Sequence, residues 1–220
     1  MSEQINESTT SYEKIQLTTL DLYQFKCDEA LIDRALDDIK KSPIVWDHYG
    51  YDPLDNTTGS LGYMNKEATQ SYYHEELFTW VQGCIDTVAA IHYPNKKLTI
   101  SDSWPTKSKF GTNAKPHWHA CSIVSGLLYL TTHTKSETNF IFSDPWQEPY
   151  HLFNLIDNKV VKISPEKGKL IIFMSNMMHS VETHTDLKNP NRYTMAFNTF
   201  FTGVVSDAVS GKLNLTVHRS

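Results

Sequence analysis

Cysteine is scarce in this chain of 220 residues, and the three that occur, Cys27, Cys84 and Cys121, stand far apart. They form no C-x-x-C pair, so the sequence indicates neither a disulfide framework nor a zinc site built from thiolates. Reduced thiols fit a cytoplasmic protein best. The first ten residues have no basic start and no apolar core, so we expect no signal peptide.

Long apolar runs and an excess of one charge are also missing. No stretch approaches the roughly 18 consecutive apolar residues that a transmembrane helix needs. The net charge is −5 with the histidines neutral, a mild acidity that argues against nonspecific binding to nucleic acid or to membrane surfaces. We therefore expect no membrane partner and no indicated nucleic-acid partner. The sequence leaves the oligomeric state open, a homodimer included.

The remaining composition is that of an ordinary globular domain, with 40% hydrophobic and 20% charged residues. The length suits one sizeable core and one domain. Residues 1–13 are polar, and we expect them to be disordered or frayed. We predict a single domain over residues 14–220, with helical support over about 14–96 and a β core over about 97–203.

The apolar pattern predicts two helices followed by many short strands. Apolar residues recur at helical spacing within residues 28–39 and again within about 75–90, whereas residues 15–23 look like a strand. Residues 43–64 are rich in Pro, Gly, Asp and Asn and read as a long irregular segment. Further strands are predicted at 98–104, 123–131, 139–142, 160–163, 170–174 and 193–201. This order favours helices packed outside a mainly β fold, namely a double-stranded β-helix of the jelly-roll kind.

Three histidines form the most informative pattern. His117 and His119 are two residues apart on an extended segment, so their side chains point the same way. His179 follows sixty residues after His119, at the end of another apolar strand. Imidazole is a good ligand for iron, zinc, copper and nickel, and a site with three protein ligands keeps coordination positions open. The sequence therefore predicts a metal site formed by these three residues.

In their order and spacing these motifs resemble the Fe(II)- and 2-oxoglutarate-dependent oxygenase superfamily, and specifically a small branch of it. The resemblance covers roughly residues 98–201. The matching segments are His117-Trp-His119, Ser125-Gly-Leu-Leu-Tyr129, Phe140-Ile-Phe-Ser-Asp144-Pro145, Gly168 to His179, and Arg192-Tyr-Thr194-Met-Ala-Phe-Asn198. The resemblance implies a cytoplasmic dioxygenase that uses Fe(II), 2-oxoglutarate and O₂, hydroxylates its substrate and releases succinate and CO₂.

The resemblance also suggests how 2-oxoglutarate is bound. Its distal carboxylate needs a fixed cation, and arginine offers a planar fork that matches a carboxylate and stays charged when buried. Arg192 and Thr194 share one strand face, so we predict that both bind this carboxylate. If the chain from His117 to Tyr129 is one regular strand, Tyr129 lies on the same face as the histidine pair and adds a phenolic hydrogen bond.

One departure from the superfamily concerns the metal ligands. The usual triad is two histidines and a carboxylate, and here His119 occupies the position of the acid. Three neutral imidazoles leave the double positive charge of Fe(II) uncompensated until a 2-oxoglutarate dianion binds. A site of three histidines also suits zinc or copper. Asp144 could supply a carboxylate, although before proline it is more typical of a turn. His133, His151 and His184 are expected at the surface or behind the ligands.

The substrate cannot be read from the sequence, because specificity lies in loops. Protein side chains, nucleobases, sugars and small metabolites all remain open, and so do outcomes such as desaturation or ring closure. Candidate substrate-facing aromatic residues are Trp104, Trp118, Trp146 and Tyr150. The irregular segment 43–64 is a candidate lid.

Three alternatives stay open at this point. A cupin-like three-histidine dioxygenase that does not use 2-oxoglutarate usually has a glutamate shortly after H-x-H, and residues 121–125 contain no acid. That alternative also gives Arg192 no role. A non-catalytic β-sandwich binding module would make the histidines structural. A hydrolytic zinc enzyme lacks an evident acidic general base near the histidines.

Overall fold

Two helices and thirteen strands make up the described part of the chain in the computed structural model. The model describes residues 12–17, 20–41, 47–48, 57–58, 74–142, 159–206 and 213–216. The helices are α1 (Glu29–Lys41) and α2 (Glu75–His92). The strands are β1 (Tyr12–Leu17), β2 (Leu20–Lys26), β3 (Asp47–His48), β4 (Thr57–Thr58), β5 (Lys97–Lys109), β6 (Ala114–His117), β7 (Val124–Tyr129), β8 (Thr138–Phe142), β9 (Lys159–Ile163), β10 (Lys169–Met174), β11 (Met178–Val181), β12 (Asn191–Ser206) and β13 (Leu213–Leu215).

The strands form two antiparallel sheets. The larger sheet has the order β1-β2-β10-β7-β12-β5-β4-β3, with β13 paired to the far end of β12. The smaller sheet has the order β6-β11-β8-β9. Several neighbouring pairs, such as β2–β10, β7–β12 and β6–β11, are distant in sequence, as in the predicted jelly roll. Within the described residues, neither helix is long and apolar enough to cross a membrane.

The two helices cover one face of the larger sheet. Helix α1 begins where the Asp28 carboxylate accepts the backbone N–H groups of Ala30 and Leu31, at 2.8 and 3.1 Å, which satisfies donors that a helix start leaves free. Its apolar face is buried as the spacing predicted. Helix α2 packs against α1 and β5. Both predicted helices are therefore confirmed, within two or three residues at their ends.

The central strands of the larger sheet are apolar on both faces, because two separate cores lie against them. Alternate residues of a strand point to opposite faces. Leu170 and Ile172 of β10 belong to the core beneath the helices, whereas Ile171 and Phe173 belong to the core between the sheets. Strand β7 divides in the same way, with Leu128 facing the helices. This double burial explains why the strands read as continuous apolar runs.

The structure departs from the predicted elements in three places. The strand expected over residues 15–23 is a hairpin of β1 and β2, which joins the larger sheet through β10. The expected regular strand from His117 to Tyr129 is interrupted, because β6 ends at His117 and Cys121 has a positive φ of 54°. His179 lies inside the separate short strand β11 rather than at the end of β10. Residues 1–11 and most of 43–64 are outside the described residues.

Strand β7 can pair closely with β12 because residue 126 is glycine. A Cβ atom at Gly126 would lie 2.1 Å from the ring of Phe197, its partner in the antiparallel register. That ring is fully buried in the core beneath the helices, so it has little room to move. The aromatic ring thus occupies the space that a side chain on β7 would need.

We expect Gly126→Ala to lower the free energy of unfolding by about 1–3 kcal/mol, the usual effect of overpacking a core. The matched control is Gly83→Ala in α2, where an added Cβ meets nothing within 4 Å and should stabilise the helix by about 0.5–1 kcal/mol. Urea denaturation of both variants measures the two effects. Equal stability of Gly126→Ala and wild type would contradict the close approach.

Candidate active site

Pairing between β6 and β11 brings two of the three histidines together. His117 and His179 are directly opposite in the antiparallel register, and their ring centroids are 4.2 Å apart. Side chains of opposed residues on neighbouring strands lie on the same face, so the ladder itself places these rings side by side. The register shifts just after His179, an irregularity of the kind that often occurs beside active sites.

His119 reaches the same place from the loop that follows β6. Its backbone N–H donates to the carbonyl of Ser175 at 2.9 Å, which ties this loop to the turn between β10 and β11. The His119 ring centroid is 5.5 Å from that of His117 and 5.0 Å from that of His179. The ligand nitrogens of the three residues lie within 4.8 Å of one another. The structure thus assembles the predicted triad.

Each of the three rings has its Nδ1 atom next to an oxygen outside the cluster. His117 Nδ1 is 2.7 Å from the carbonyl of Lys115, and His179 Nδ1 is 3.0 Å from that of Met177. His119 Nδ1 is 2.6 Å from the side-chain oxygen of Asn198. A carbonyl oxygen can only accept, so each Nδ1 is the protonated nitrogen and each Nε2 keeps its lone pair. All three imidazoles are therefore prepared to bind a metal through Nε2.

Burial favours the neutral form of the two more enclosed rings. It lowers the pKa of His179 to about 3, with a further contribution from the neighbouring His117. Burial also lowers the pKa of His119, against the opposing effect of the hydrogen bond to Asn198. A metal must compete with protons for imidazole nitrogen. These two imidazoles are thus uncharged at neutral pH, and Nε2 of each is free to bind a metal.

The triad lies in the wall of a cavity between the two sheets. The volume of the cavity is about 90 Å³. Residues of both sheets and the loop after β6 line it: Trp104, Thr106, Ala114, His117, His119, Gly126, Leu127, Phe173, His179, Val181, Arg192, Thr194 and Ala196. None of these residues is acidic. The predicted cation, Arg192, therefore shares one cavity with the three histidines.

Arg192 is buried without an acidic partner. Its exposed fraction is 1%. Its guanidinium donates to the carbonyl of Ser136 at 3.0 Å and to the hydroxyl of Ser108 at 3.2 Å, while Nε has no partner. Among the described residues, no carboxylate oxygen lies within 4 Å of it, and burial lowers its pKa to about 10. Burial of a charge without a counter-charge is unfavourable, and such a charge is typical of a site that binds an anion.

The two other residues predicted to bind the co-substrate differ in position. Thr194 is buried and lines the cavity with Arg192. Tyr129 is also buried, but its hydroxyl donates to Thr138 at 2.5 Å and it is not among the lining residues. Burial raises the pKa of Tyr129 to about 12, so it stays neutral. The structure brings Thr194, but not the Tyr129 hydroxyl, to the cavity surface.

Of the aromatic residues predicted to face the substrate, one lines the cavity and another does not. Trp104 lines the cavity and stacks on His119, with ring centroids 5.8 Å apart and an interplanar angle of 30°. Trp118 is 60% exposed beside the triad and does not line the cavity. The remaining candidates lie outside the described residues: Asp144, Trp146, Tyr150 and His151.

His133 and His184 are buried and do not line the cavity. Their ring centroids are 4.9 Å apart, and His133 Nδ1 is 3.7 Å from a carboxylate oxygen of Asp186. Burial lowers the pKa of His133 to about 4, and the neighbouring His184 and Arg192 act in the same direction. These histidines belong to a buried polar cluster and are not surface residues.

The sequence analysis did not predict the residues that form hydrogen bonds on the Nδ1 side of the His119 ring. Asn198 continues the face of Arg192 and Thr194, and this period of two was the available signal. The Asn198 side-chain oxygen also accepts from the Ser125 hydroxyl at 2.8 Å. The Ser125 hydroxyl is 2.8 Å from that of Ser175, which is 2.7 Å from that of Ser122. No local sequence pattern predicts this group of side chains, because three separate segments supply it.

Comparison with known proteins agrees with this arrangement. Residues 102–198 match the family model described as "Putative 2OG-Fe(II) oxygenase". The matched range contains the whole triad, Arg192 and Asn198. No curated protein sequence is similar enough to count as a relative.

Several solved structures have the same fold. A prolyl-4-hydroxylase from Pseudomonas putida aligns with a TM-score of 0.58 at 10% identity, over 83% of this chain and 94% of that one. HygX from Streptomyces hygroscopicus, with nickel and 2-oxoglutarate bound, gives a TM-score of 0.55 at 10% identity, over 89% and 92% of the two chains. SnoN, a non-heme α-ketoglutarate-dependent epimerase from nogalamycin biosynthesis, gives 0.59 at 10% identity, over 81% and 78%. The predicted jelly-roll fold is thus confirmed.

The buried His133 predicts a pH dependence of stability. The folded-state pKa of about 4 lies below the ordinary value of 6.5, so between these values the unfolded chain binds the proton first. The contribution of His133 to the free energy of unfolding is therefore fully present above about pH 6.5 and is lost toward pH 4. The loss is at most about 1.4 kcal/mol per pH unit for one group. We expect His133→Gln to have a shallower slope in this window, measured by urea denaturation at several pH values. Identical slopes would contradict the lowered pKa of His133. His119 and His179 are present in both proteins, so they cannot cause a difference between the slopes.

Removal of His179 tests the metal centre. We expect His179→Ala to weaken metal binding by more than about 100-fold, since even the loss of a residue behind a ligand weakens it about 10–100-fold. Anaerobic calorimetric titration with Fe(II) measures the affinity. His133→Gln is the control, because it removes a buried histidine outside the cavity and should leave the affinity unchanged. Full iron occupancy in His179→Ala would contradict the triad.

Proposed function

Residues 102–198 belong to the 2OG-Fe(II) oxygenase family, and from this premise we propose that the protein is a 2-oxoglutarate-dependent hydroxylase with iron on His117, His119 and His179. One observation carries the proposal: Arg192, which is buried and has no acidic partner among the described residues, lines the same cavity as the three histidines. The donor set fits the metal, since imidazole nitrogen is a good ligand for iron and three ligands leave positions for a chelating co-substrate and O₂.

The residues of the chain have distinct roles in this reaction. Bound Fe(II) and 2-oxoglutarate supply the oxidising chemistry, in which O₂ is consumed, succinate and CO₂ are released and a substrate C–H bond is hydroxylated. Arg192 and Thr194 bind the distal carboxylate of 2-oxoglutarate. Leu127 and Phe173 make the cavity wall apolar, which excludes water. Trp104 limits the position of the substrate beside His119.

Observations of the cavity weigh against the alternatives. A cupin-like dioxygenase without 2-oxoglutarate gives a buried guanidinium no anion to bind. A hydrolytic zinc enzyme needs a general base, and no acidic residue is among those described as lining the cavity. A non-catalytic module does not need three imidazoles with converging Nε2 atoms.

We further propose that the protein acts in the cytoplasm. The three cysteines are free, and burial raises the pKa of Cys27 to about 12, so this thiol stays protonated and unreactive in a reducing compartment. The mild negative charge supports the expectation that neither membranes nor nucleic acids are partners. The substrate class and a homodimer remain open.

The direct test of the function is an anaerobic titration of the Fe(II)-loaded protein with 2-oxoglutarate. We expect the visible charge-transfer absorption of an iron-bound keto acid to appear and to saturate. Iron binding without this absorption would favour a dioxygenase that does not use 2-oxoglutarate. Failure to bind iron would favour a zinc site or a non-catalytic module.

Arg192→Met separates co-substrate binding from metal binding. We expect the variant to keep iron but to weaken 2-oxoglutarate by about 2–5 kcal/mol, the range for losing one partner of a buried charge pair. Without 2-oxoglutarate its melting temperature should equal or exceed that of wild type, because a buried unpaired charge is removed. Arg34→Met, which removes an exposed arginine paired with Glu76, is the control. Unchanged 2-oxoglutarate affinity would remove Arg192 from the site.

A further inference from the structure

In the described part of the chain, Asn198 is the one side chain that forms a hydrogen bond to a ring of the triad. His117 and His179 are held by backbone carbonyls, whereas His119 Nδ1 is 2.6 Å from the Asn198 side-chain oxygen. The backbone of His119 lies in a loop, so strand pairing does not fix its ring. The position of this ligand therefore depends on a side chain from another strand.

The structure fixes Asn198 in turn. It lies on β12 opposite Ser125 of β7 and Asp102 of β5, where the register with β5 shifts immediately after it. Such an irregularity can turn a side chain toward a site. The Ser125 hydroxyl donates to the same side-chain oxygen at 2.8 Å. The two hydrogen bonds orient the amide with its oxygen toward His119.

The orientation of this amide decides whether His119 can bind metal. With the oxygen toward the ring, Nδ1 carries the proton and Nε2 has a free lone pair. With the amide nitrogen toward the ring, Nδ1 would accept and Nε2 would carry the proton, which prevents coordination. The hydrogen bond to Asn198 therefore selects the tautomer that binds metal.

The amide also determines the charge of the metal centre. Histidine ligands commonly donate their second nitrogen to a carboxylate or to a carbonyl, and here all three acceptors are neutral. The described residues that line the cavity include no acid, and Arg192 adds a positive charge. A dication at the triad would thus be compensated by no protein anion among these residues.

We propose that Asn198 is a positioning residue of the metal centre: it holds His119 in the tautomer with the proton on Nδ1 and keeps the centre free of negative charge, so that metal and the 2-oxoglutarate dianion bind cooperatively. The inference rests on the proposed function. Because coupling between two sites is reciprocal, each ligand should raise the affinity of the other by the same factor.

Three variants test the inference by calorimetric titration with Ni(II), an oxygen-stable probe, with and without 2-oxoglutarate. Asn198→Leu removes the acceptor and should weaken Ni(II) binding by about 10–100-fold. Asn198→Asp keeps the shape and adds a negative charge, so it should tighten Ni(II) binding by about tenfold without 2-oxoglutarate and reduce the enhancement that 2-oxoglutarate gives. Asn214→Asp, at an exposed position of β13, is the charge control and should match wild type.

A spectroscopic readout on the wild-type protein tests the tautomer directly. The imidazole ¹⁵N shifts of the metal-free wild-type protein should show His119 with its proton on Nδ1, whereas Asn198→Leu should populate the other tautomer. A wild-type His119 with the proton on Nε2 would overturn the inference even if the variants do not fold. Equal Ni(II) affinities in wild type, Asn198→Leu and Asn198→Asp would also overturn it while leaving the proposed function standing. If wild type binds neither Ni(II) nor 2-oxoglutarate, the proposed function fails and this inference fails with it.

Discussion

The active site depends on the backbone pairing of β12 with β5 on one side and β7 on the other. This double ladder fixes one strand face, which presents Arg192 and Thr194 toward the cavity and Asn198 toward His119. Because side chains alternate with a period of two, the intervening residues Met195 and Phe197 face the core beneath the helices. One strand thus holds the packed core, the buried arginine and the partner of His119 in a fixed register.

Among the described residues that line the cavity, the only charged side chain is Arg192. Its hydrogen-bond partners in the described part of the chain are a hydroxyl and a carbonyl, and the three histidines are neutral imidazoles whose Nδ1 atoms meet neutral oxygens. Such an arrangement reduces stability, since burial of an unpaired charge is unfavourable. Under the proposed function, the same arrangement favours binding of a dianion that contacts both the guanidinium and the metal. The buried charge would then lower the stability of the fold and at the same time bind the co-substrate.

Sequence patterns predicted those features of the structure that depend on residues close together in the chain. The spacing of apolar residues predicted α1 and α2, and the H-x-H pair with a distant histidine predicted a cluster of three histidines that the structure assembles. The patterns did not predict side-chain positions correctly where a regular strand is interrupted. The prediction that Tyr129 lies on the face of the histidine pair assumed one continuous strand. Strand β6 ends at His117, however, and β7 begins only at Val124. The hydroxyl of Tyr129 instead donates a hydrogen bond to Thr138.

The sequence by itself determined the fold class, the donor types and the cation, because periodicity and residue chemistry are local properties of the chain. Tertiary structure alone decided which atoms meet. The opposition of His117 and His179 is a matter of strand register, the tautomer of His119 depends on Asn198 and the serines behind it, and the isolation of Arg192 from any described carboxylate depends on packing between two sheets. These are long-range relations, and they form only when segments far apart in the chain are brought together.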